Sequence, residues 1–365
     1  MPEYGDKIKM NVYGKSHGDK IGVCLSGLPI SFKIDLDELQ KFVDRRKAVN
    51  SDYSTKRIEP DKIEILSGID ENGKIISSSV ELAVFNKNQR SGDYESLKNK
   101  PRPSHADYPA LVKSEGKVDL AGGGKYSGRL TLPICIAGGI AKQLLREQNI
   151  RVYSYLSEVA GVKGFSYKTQ QPNEKDLIAS SENPFFFFND EQKSEIDLRL
   201  KDARENLDSL GGVVETVVLG LPVGVGDSLF DGVEGKIASA LFGIPAIKGV
   251  EFGCGFDFAN LTGSTANDEY YFDEEGEVRT YSNNNGGLVG GMTTGMPLLV
   301  RAVIKPTPSI ARVQRTVDLS TRTNTTIEIN GRHDVCIAPR GVAPIEAGVA
   351  FAILDILKTN EVTND

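Results

Sequence analysis

The segment IDLDELQKFVDRR, residues 34 to 46, places Leu36, Leu39, Phe42 and Val43 at three-to-four spacing behind an acidic first turn. That period predicts a short amphipathic helix whose C-terminal end presents Arg45 and Arg46. KIEILSGI (62–69) and SSVELAVFN (78–86) flank the turn DENGK, which is the pattern of a β-hairpin. LTLPICIAGGIAKQLLREQ (130–148) carries few polar residues and predicts a buried helix, with Gly138 and Gly139 permitting close approach of another element. Downstream, VVETVVLGLPVGVG (213–226), KGVEFG (248–253) and GMPLLVRAVIKP (295–306) predict strands, and EGKIASALFGI (234–244) and IEAGVAFAILDIL (345–357) predict helices. Four consecutive phenylalanines in NPFFFFND, ahead of a charged helical run, are expected to fill a core or a subunit contact. Strand pairs and helices alternate without βαβ spacing and no period repeats, so the expectation is one α+β domain over residues 1–365.

Composition narrows the class. The 365 residues are 39% hydrophobic and 25% charged, ordinary for a globular protein, and no apolar run approaches the roughly 20 residues of a membrane span. The N-terminal MPEYGDKIKM has no apolar signal core, so the expected location is cytoplasmic. Four cysteines, at 24, 135, 254 and 336, form no C-x-x-C pair; they are expected to be buried reduced thiols, and no metal site is expected. A net charge of −7 argues against nucleic acid as a partner but leaves room for a small anion at local basic clusters. Such clusters are DRRK (44–47), KNKPRP (98–103), Arg129, Lys305, Arg332 and Arg340.

Three segments combine glycine with hydrogen-bonding residues: AGGGKYSGRLT (121–131), YSNNNGGLVGGMTTG (281–295) and IKPTPSI (304–310). Their backbone can approach phosphate or ring carbonyl oxygens closely, and Lys125, Ser127, Lys305, Thr307 and Ser309 add donors, which suits an anionic cofactor. A Walker loop is excluded because Asp119 stands where its first glycine belongs and Tyr126 follows Lys125. A dinucleotide fingerprint from Gly122 fails at Ser127. The three histidines, His17, His105 and His333, all lie in stretches rich in Gly, Asp, Arg or Ser. In an extended chain Arg332 and Asp334 share a side while His333 points away, so the first two are the candidate site pair.

Taken in order, GKSHG (14–18), NQRSGDY (88–94), RPSHADY (102–108), GGGKYSGRLT, LPVGVGDSLFDGVEGKIASALFGIPAIKGVEFGCGF, SNNNGGLVGGMTTG, KPTPSI and GRHDVC resemble the chorismate synthase family through nearly the whole chain. The resemblance implies an α+β, β-α-β sandwich with helices between two antiparallel sheets, assembled as a homotetramer. It also implies conversion of 5-enolpyruvylshikimate 3-phosphate to chorismate by anti-1,4-elimination of phosphate, with reduced FMN as cofactor and NADPH as a possible reductant. On the matching motifs His17 is the acid toward the leaving phosphate, His105 protonates or orients the flavin, and Asp334 helps the flavin take the substrate proton. Flavin and phosphate contacts fall on Lys125, Ser127, Ala246, Gly290, Lys305, Thr307, Ser309 and Arg332, and substrate or NADP contacts on Arg45, Arg46 and Arg129. Departures from the family pattern fall at Lys15, Asp52, Tyr126, Leu130 and Pro245, which leaves open a second reading: a paralogue that binds flavin or a phosphorylated ligand without the elimination.

Overall fold

The structure is a computed structural model and describes residues 2–47, 60–86, 99–169, 171–329 and 334–363. Asp52, Arg332, His333 and the NQRSGDY stretch lie outside the described residues.

The N-terminal part forms an antiparallel sheet. Strands β1 (Glu3–Tyr4), β2 (Lys9–Gly14) and β3 (Lys20–Ser26) are followed by helix α1 (Leu36–Asp44), then by β4 (Glu64–Ser67) and β5 (Ser79–Phe85), in spatial order β1-β2-β3-β5-β4. The expected hairpin is present, with Glu64 opposite Ala83 and Ile65 opposite Leu82. On β3 the inward set Ile21, Val23 and Leu25 faces Val84, Leu82 and Val80 of β5, so the period of two in the sequence becomes one continuous apolar face. Helix α1 starts as predicted, with Asp35 Oδ1 accepting from the Glu38 amide.

Helices α2 (Asp107–Lys113) and α3 (Thr131–Glu147) lead into β6 (Arg151–Val159) and β7 (Val162–Lys163), then α4 (Glu174–Glu182), α5 (Asp190–Glu205), β8 (Gly212–Leu219), α6 (Val233–Phe242) and β9 (Ile247–Phe252). After them come α7 (Gly263–Ala266), β10 (Tyr270–Phe272), β11 (Val278–Thr280), β12 (Leu288–Val289), β13 (Met292–Thr293), β14 (Leu298–Ile304), β15 (Gln314–Asp318), β16 (Thr323–Ile327) and α8 (Ala338–Thr363). The second large sheet has the order β7-β6-β8-β14-β9 and is again antiparallel. Its outer face is covered by Tyr167, Leu177, Phe165 and Phe187, which pack on Tyr155 and Val217. Of the four phenylalanines, Phe188 is buried in the main core and Phe187 packs tilted against the Tyr155 ring, centroids 4.4 Å apart, so the core reading holds for both.

Between the sheets lie α3 and α8, packed on each other, with α3 against β3 and α8 against β6 and β8. This is the α+β sandwich expected, helices between antiparallel sheets. A Cβ built on Gly138 would sit 2.2 Å from Ala347 Cα, so only glycine lets the two helix backbones approach this closely. Helix α8 begins well before the stretch predicted from the sequence. Gly341 and Pro344 read as helix breakers, yet both lie inside it, and the space beside Gly341 is taken by Ile304 Cδ1 of β14, 2.2 Å from a built Cβ. Packing has overridden local propensity there. All four cysteines are free; Cys135 and Cys336 are buried, but Cys24 and Cys254 are half-buried, which corrects the expectation for those two. Among the described residues no helix is long and apolar enough to cross a membrane.

Candidate active site

Residues 121–127 make a tight backbone loop ahead of α3. Gly122, Gly123 and Gly124 have φ of 59°, 87° and 53°, in the left-handed region that side-chain-bearing residues rarely adopt. A Cβ on Gly122 would lie 2.1 Å from His17 Cε1 and 2.2 Å from its Nδ1, so the imidazole rests directly on the loop. A Cβ on Gly123 would lie 3.6 Å from His105 Nε2. Two histidines from distant parts of the chain thus meet on successive glycines. The Ser16 amide donates to Gly124 O at 3.2 Å, and Asn86 Nδ2 donates to Gly18 O at 2.7 Å, which ties the His17 turn to the loop and to the end of β5. Gly122→Ala is expected to displace the His17 ring and strain the loop, lowering kcat by about tenfold or more while leaving the secondary structure intact. Steady-state kinetics beside circular dichroism checks this, and unchanged kcat would mean that the ring position carries no function.

His105 is anchored on its other nitrogen. Nδ1 lies 2.6 Å from Asp107 Oδ1, and Asp107 also receives Arg102 Nε at 2.6 Å and Nη2 at 2.8 Å. Burial alone would raise the Asp107 pKa, but the hydrogen bonds from Arg102 and His105 outweigh it and hold the carboxyl well below the usual range. Arg102 Nη1 reaches Ser309 Oγ at 3.4 Å, and Lys305 Nζ donates to Ser104 O at 2.6 Å, so the segment 102–107 is pinned to 305–309. The Lys305 amide in turn donates to Ala246 O at 3.0 Å. Ser127 thus lies beside His105 at Gly123, Lys305 and Ser309 are tied to the segment that carries His105, and Ala246 is tied to Lys305. Thr307 lies within that stretch, its carbonyl accepting from Ser209 Oγ. Lys125 is exposed at the loop, its Nζ 5.3 Å from the centre of the Tyr126 ring. Gly290 is elsewhere, at the exposed turn between β12 and β13 that packs on residues 225–233.

A charged cluster adjoins the His17 turn. Asp61, buried at the end of the segment leading to β4, accepts from Arg129 Nη1 at 2.5 Å and Arg46 Nη2 at 3.4 Å, and Arg129 also donates to Asn86 Oδ1. Arg340 Nη1 donates to Asp334 at 2.6 Å while its Nε reaches the Arg46 carbonyl. Burial lowers the Arg46 pKa to about 10, against the pull of Asp61 and with the push of Arg340. Three guanidiniums held by two carboxylates leave this region a receptor for anions. Arg45 is placed differently. It forks onto the fully buried Glu346 at 2.9 and 3.0 Å, and Glu346 also takes Lys142 Nζ and the Ser154 amide. That is a structural ion cluster joining α1, α3, β6 and α8.

Residues 8–357 match the family model described as chorismate synthase. The chain belongs to the chorismate synthase family. It is 44% identical to the chorismate synthase of Thermococcus kodakarensis over 354 residues, covering 97% of this chain and 96% of that one. With that of Methanocaldococcus jannaschii it shares 43% identity, covering 98% and 96%. A solved structure titled as the crystal structure of chorismate synthase superimposes with a TM-score of 0.76 at 26% identity, covering 98% of this chain and 93% of the other. The activity is that of a chorismate synthase, a lyase of the shikimate route to aromatic amino acids, and the family uses reduced FMN.

Lys15 would place a cation beside His17, but its Nζ is 2.6 Å from Asp119, whose carboxylate is held down by Lys15 and the Ala121 amide, so the added charge is matched locally. Leu130 packs against the main core and Pro245 precedes Ala246, whose φ is 76°. A chorismate synthase must hold a large anionic, polar-edged ring, and the residues present fit one. The three-glycine loop leaves room that any Cβ would fill, and Ser127, Ser309, Lys305 and Lys125 supply donors beside it. Arg102, Asp107, Asp61 and Asn86 carry the arrangement but have no assigned role in the sequence reading. The signal for the first two was present: RPSHADY sets an arginine and an aspartate on either side of His105.

Proposed function

We propose that loop 121–127 and the two histidines upon it form the site where 5-enolpyruvylshikimate 3-phosphate loses phosphate by anti-1,4-elimination to yield chorismate, in the cytoplasm, with residues 1–365 acting as one domain. The observation that carries this reading is the meeting of His17 and His105 on Gly122 and Gly123. The single-domain part is supported by one buried core that runs from Ile8 to Leu357.

The reaction breaks a C–O bond to phosphate and a C–H bond on the opposite face, so a proton must be supplied at the leaving oxygen and another taken away. His17 is the donor toward the phosphate oxygen. Arg46 and Arg129 hold the substrate's anionic groups, with Asp61 fixing both guanidiniums in place. Asp334, oriented by Arg340, takes part in removing the substrate proton. His105 presents Nε2 toward the glycine loop to hold or release a proton there. Reduced FMN, when bound, would supply the electron density that the allylic system needs, a task no side chain does well. Lys125, Ser127, Ala246, Lys305, Thr307 and Ser309 would hold it; the resemblance also implies Gly290, which lies apart from these residues at the β12–β13 turn of this chain, and Arg332, outside the described residues.

NADPH enters the same reading as the reductant, and the homotetramer as the working assembly. Exposed Leu229, Phe230 and Phe256, at 86%, 92% and 84% exposure, are apolar surface of the kind a second copy covers. Anaerobic incubation of the substrate with chemically reduced FMN, following chorismate absorbance and free phosphate together, tests the elimination. Equal release of both supports it. Flavin binding with neither product would instead favour the non-catalytic paralogue. Oxidised FMN with NADPH in the same assay tests the reductant, and light scattering tests the tetramer.

A further inference from the structure

Asp107 is more than a helix-starting acid. It is buried, and its two oxygens accept from Arg102 on nearly every available side: Oδ2 from the Arg102 amide at 3.1 Å and from Nε at 2.6 Å, Oδ1 from Nη2 at 2.8 Å. Oδ1 also lies 2.6 Å from His105 Nδ1. Arg102 Nη2 stands 3.1 Å from the same Nδ1. A guanidinium only donates and a carboxylate only accepts, so the Nδ1 proton state decides which contact is a bond. The contact to Asp107 is the shorter, and Arg102 keeps that carboxylate ionised; Nδ1 therefore carries the proton and donates it to Oδ1.

We propose that Asp107, backed by Arg102, is a positioning residue for the reaction: it fixes His105 in the Nδ1–H tautomer and so leaves Nε2, the nitrogen beside Gly123, as the only ring atom able to exchange a proton with a bound ligand. The inference rests on the reading that His105 serves this site. It adds a division of labour within RPSHADY, where Arg102 occupies Asp107 and reaches Ser309, Asp107 occupies Nδ1, and Nε2 is left to face the loop. The pairing follows the general rule that the bond made by one ring nitrogen sets the state of the other.

Asp107→Asn tests it with little change of shape. At the Oδ2 position two fixed donors converge, the Arg102 amide and Nε, whereas at Oδ1 only Arg102 Nη2 is fixed and His105 can change tautomer, so the asparagine carbonyl settles at Oδ2 and its NH2 faces His105 Nδ1 at the expense of the Nη2 contact. An NH2 in that place can only donate, which forces the imidazole into the Nε2–H tautomer. The chain has three histidines, so a nitrogen-15 imidazole spectrum of the ligand-free protein is simple to assign, with His105 identified by its loss in His105→Gln. In neutral form the wild type is expected to show His105 protonated on Nδ1, and Asp107→Asn to show it protonated on Nε2. Turnover by Asp107→Asn is expected to fall on the order of 10²-fold in kcat with KM within about twofold. A wild-type His105 with bare Nδ1 would overturn the proposal whether or not the variant folds, and so would an unchanged tautomer and kcat in a folded variant. Full turnover by His105→Gln would remove the role of His105 itself, and the proposal with it, by a route separate from the tautomer spectrum.

Discussion

His17→Ala is expected to lower kcat on the order of 10³-fold, the range for loss of a positioned general acid. The ring is half-buried on Gly122 and the Ser16 and Asn86 hydrogen bonds that hold its turn are made by other groups, so the fold should survive the change. The loss should therefore appear in kcat with little change in KM, because Arg46 and Arg129, proposed to grip the substrate's anions, are untouched. Product analysis separates the steps: with the acid gone, phosphate and chorismate should decline together. Retention of wild-type kcat, or a loss confined to KM, would take the acid role from His17 and leave it as a binding contact.

Glu346→Gln is expected to cost about 3–5 kcal/mol, the usual penalty for removing one partner of a buried ion cluster. Glu346 is fully buried and its two oxygens serve Arg45, Lys142 and the Ser154 amide, which belong to the end of α1, to α3 and to β6. Glutamine keeps the shape and can still accept from Ser154, but it leaves two half-buried cations without their counter-charge. Urea unfolding measures the loss. Adding Lys142→Met to the same chain should restore part of it, since it removes one of the two cations left without a counter-charge. The pH dependence has a definite sign. Burial raises the Glu346 pKa, but Arg45 and Lys142 outweigh it, so the folded value lies below the unfolded one. Its stabilisation is present above the unfolded carboxylate value of roughly 4.3 and disappears as pH falls through the folded value. The gap between wild type and Glu346→Gln should thus be widest near neutrality and close in acid. Equal stability at neutral pH would show that this cluster contributes nothing net.

Arg45 shows where local reading stops. Its position at the end of an amphipathic helix is legible from Leu36, Leu39, Phe42 and Val43, and α1 forms where that period places it. Whether the guanidinium faces a ligand or the interior depends on what comes near it, and Glu346, remote in sequence, takes it. Arg46, its neighbour, turns the other way to Asp61. Helix α8 is a second case: Gly341 and Pro344 end a helix on local grounds, but burial against β14 and α3 is worth more than their propensity cost.

Much of this protein was determined by its sequence alone. Apolar periods of two and of three to four placed the strands and helices, Gly138 marked a helix contact, and the ordered motifs carried the family and singled out His17, His105 and Asp334 as the candidates. Those properties depend on short stretches, where spacing and residue type suffice. The tertiary structure alone decided which charges pair: that Asp119 answers Lys15, that Asp61 is shared by two arginines, that Asp107 and Arg102 hold His105 from behind, and that Arg45 answers Glu346. Ion pairing acts over a few ångströms without regard to chain separation, so it becomes visible only when the sheets and the α3–α8 layer have brought the partners together.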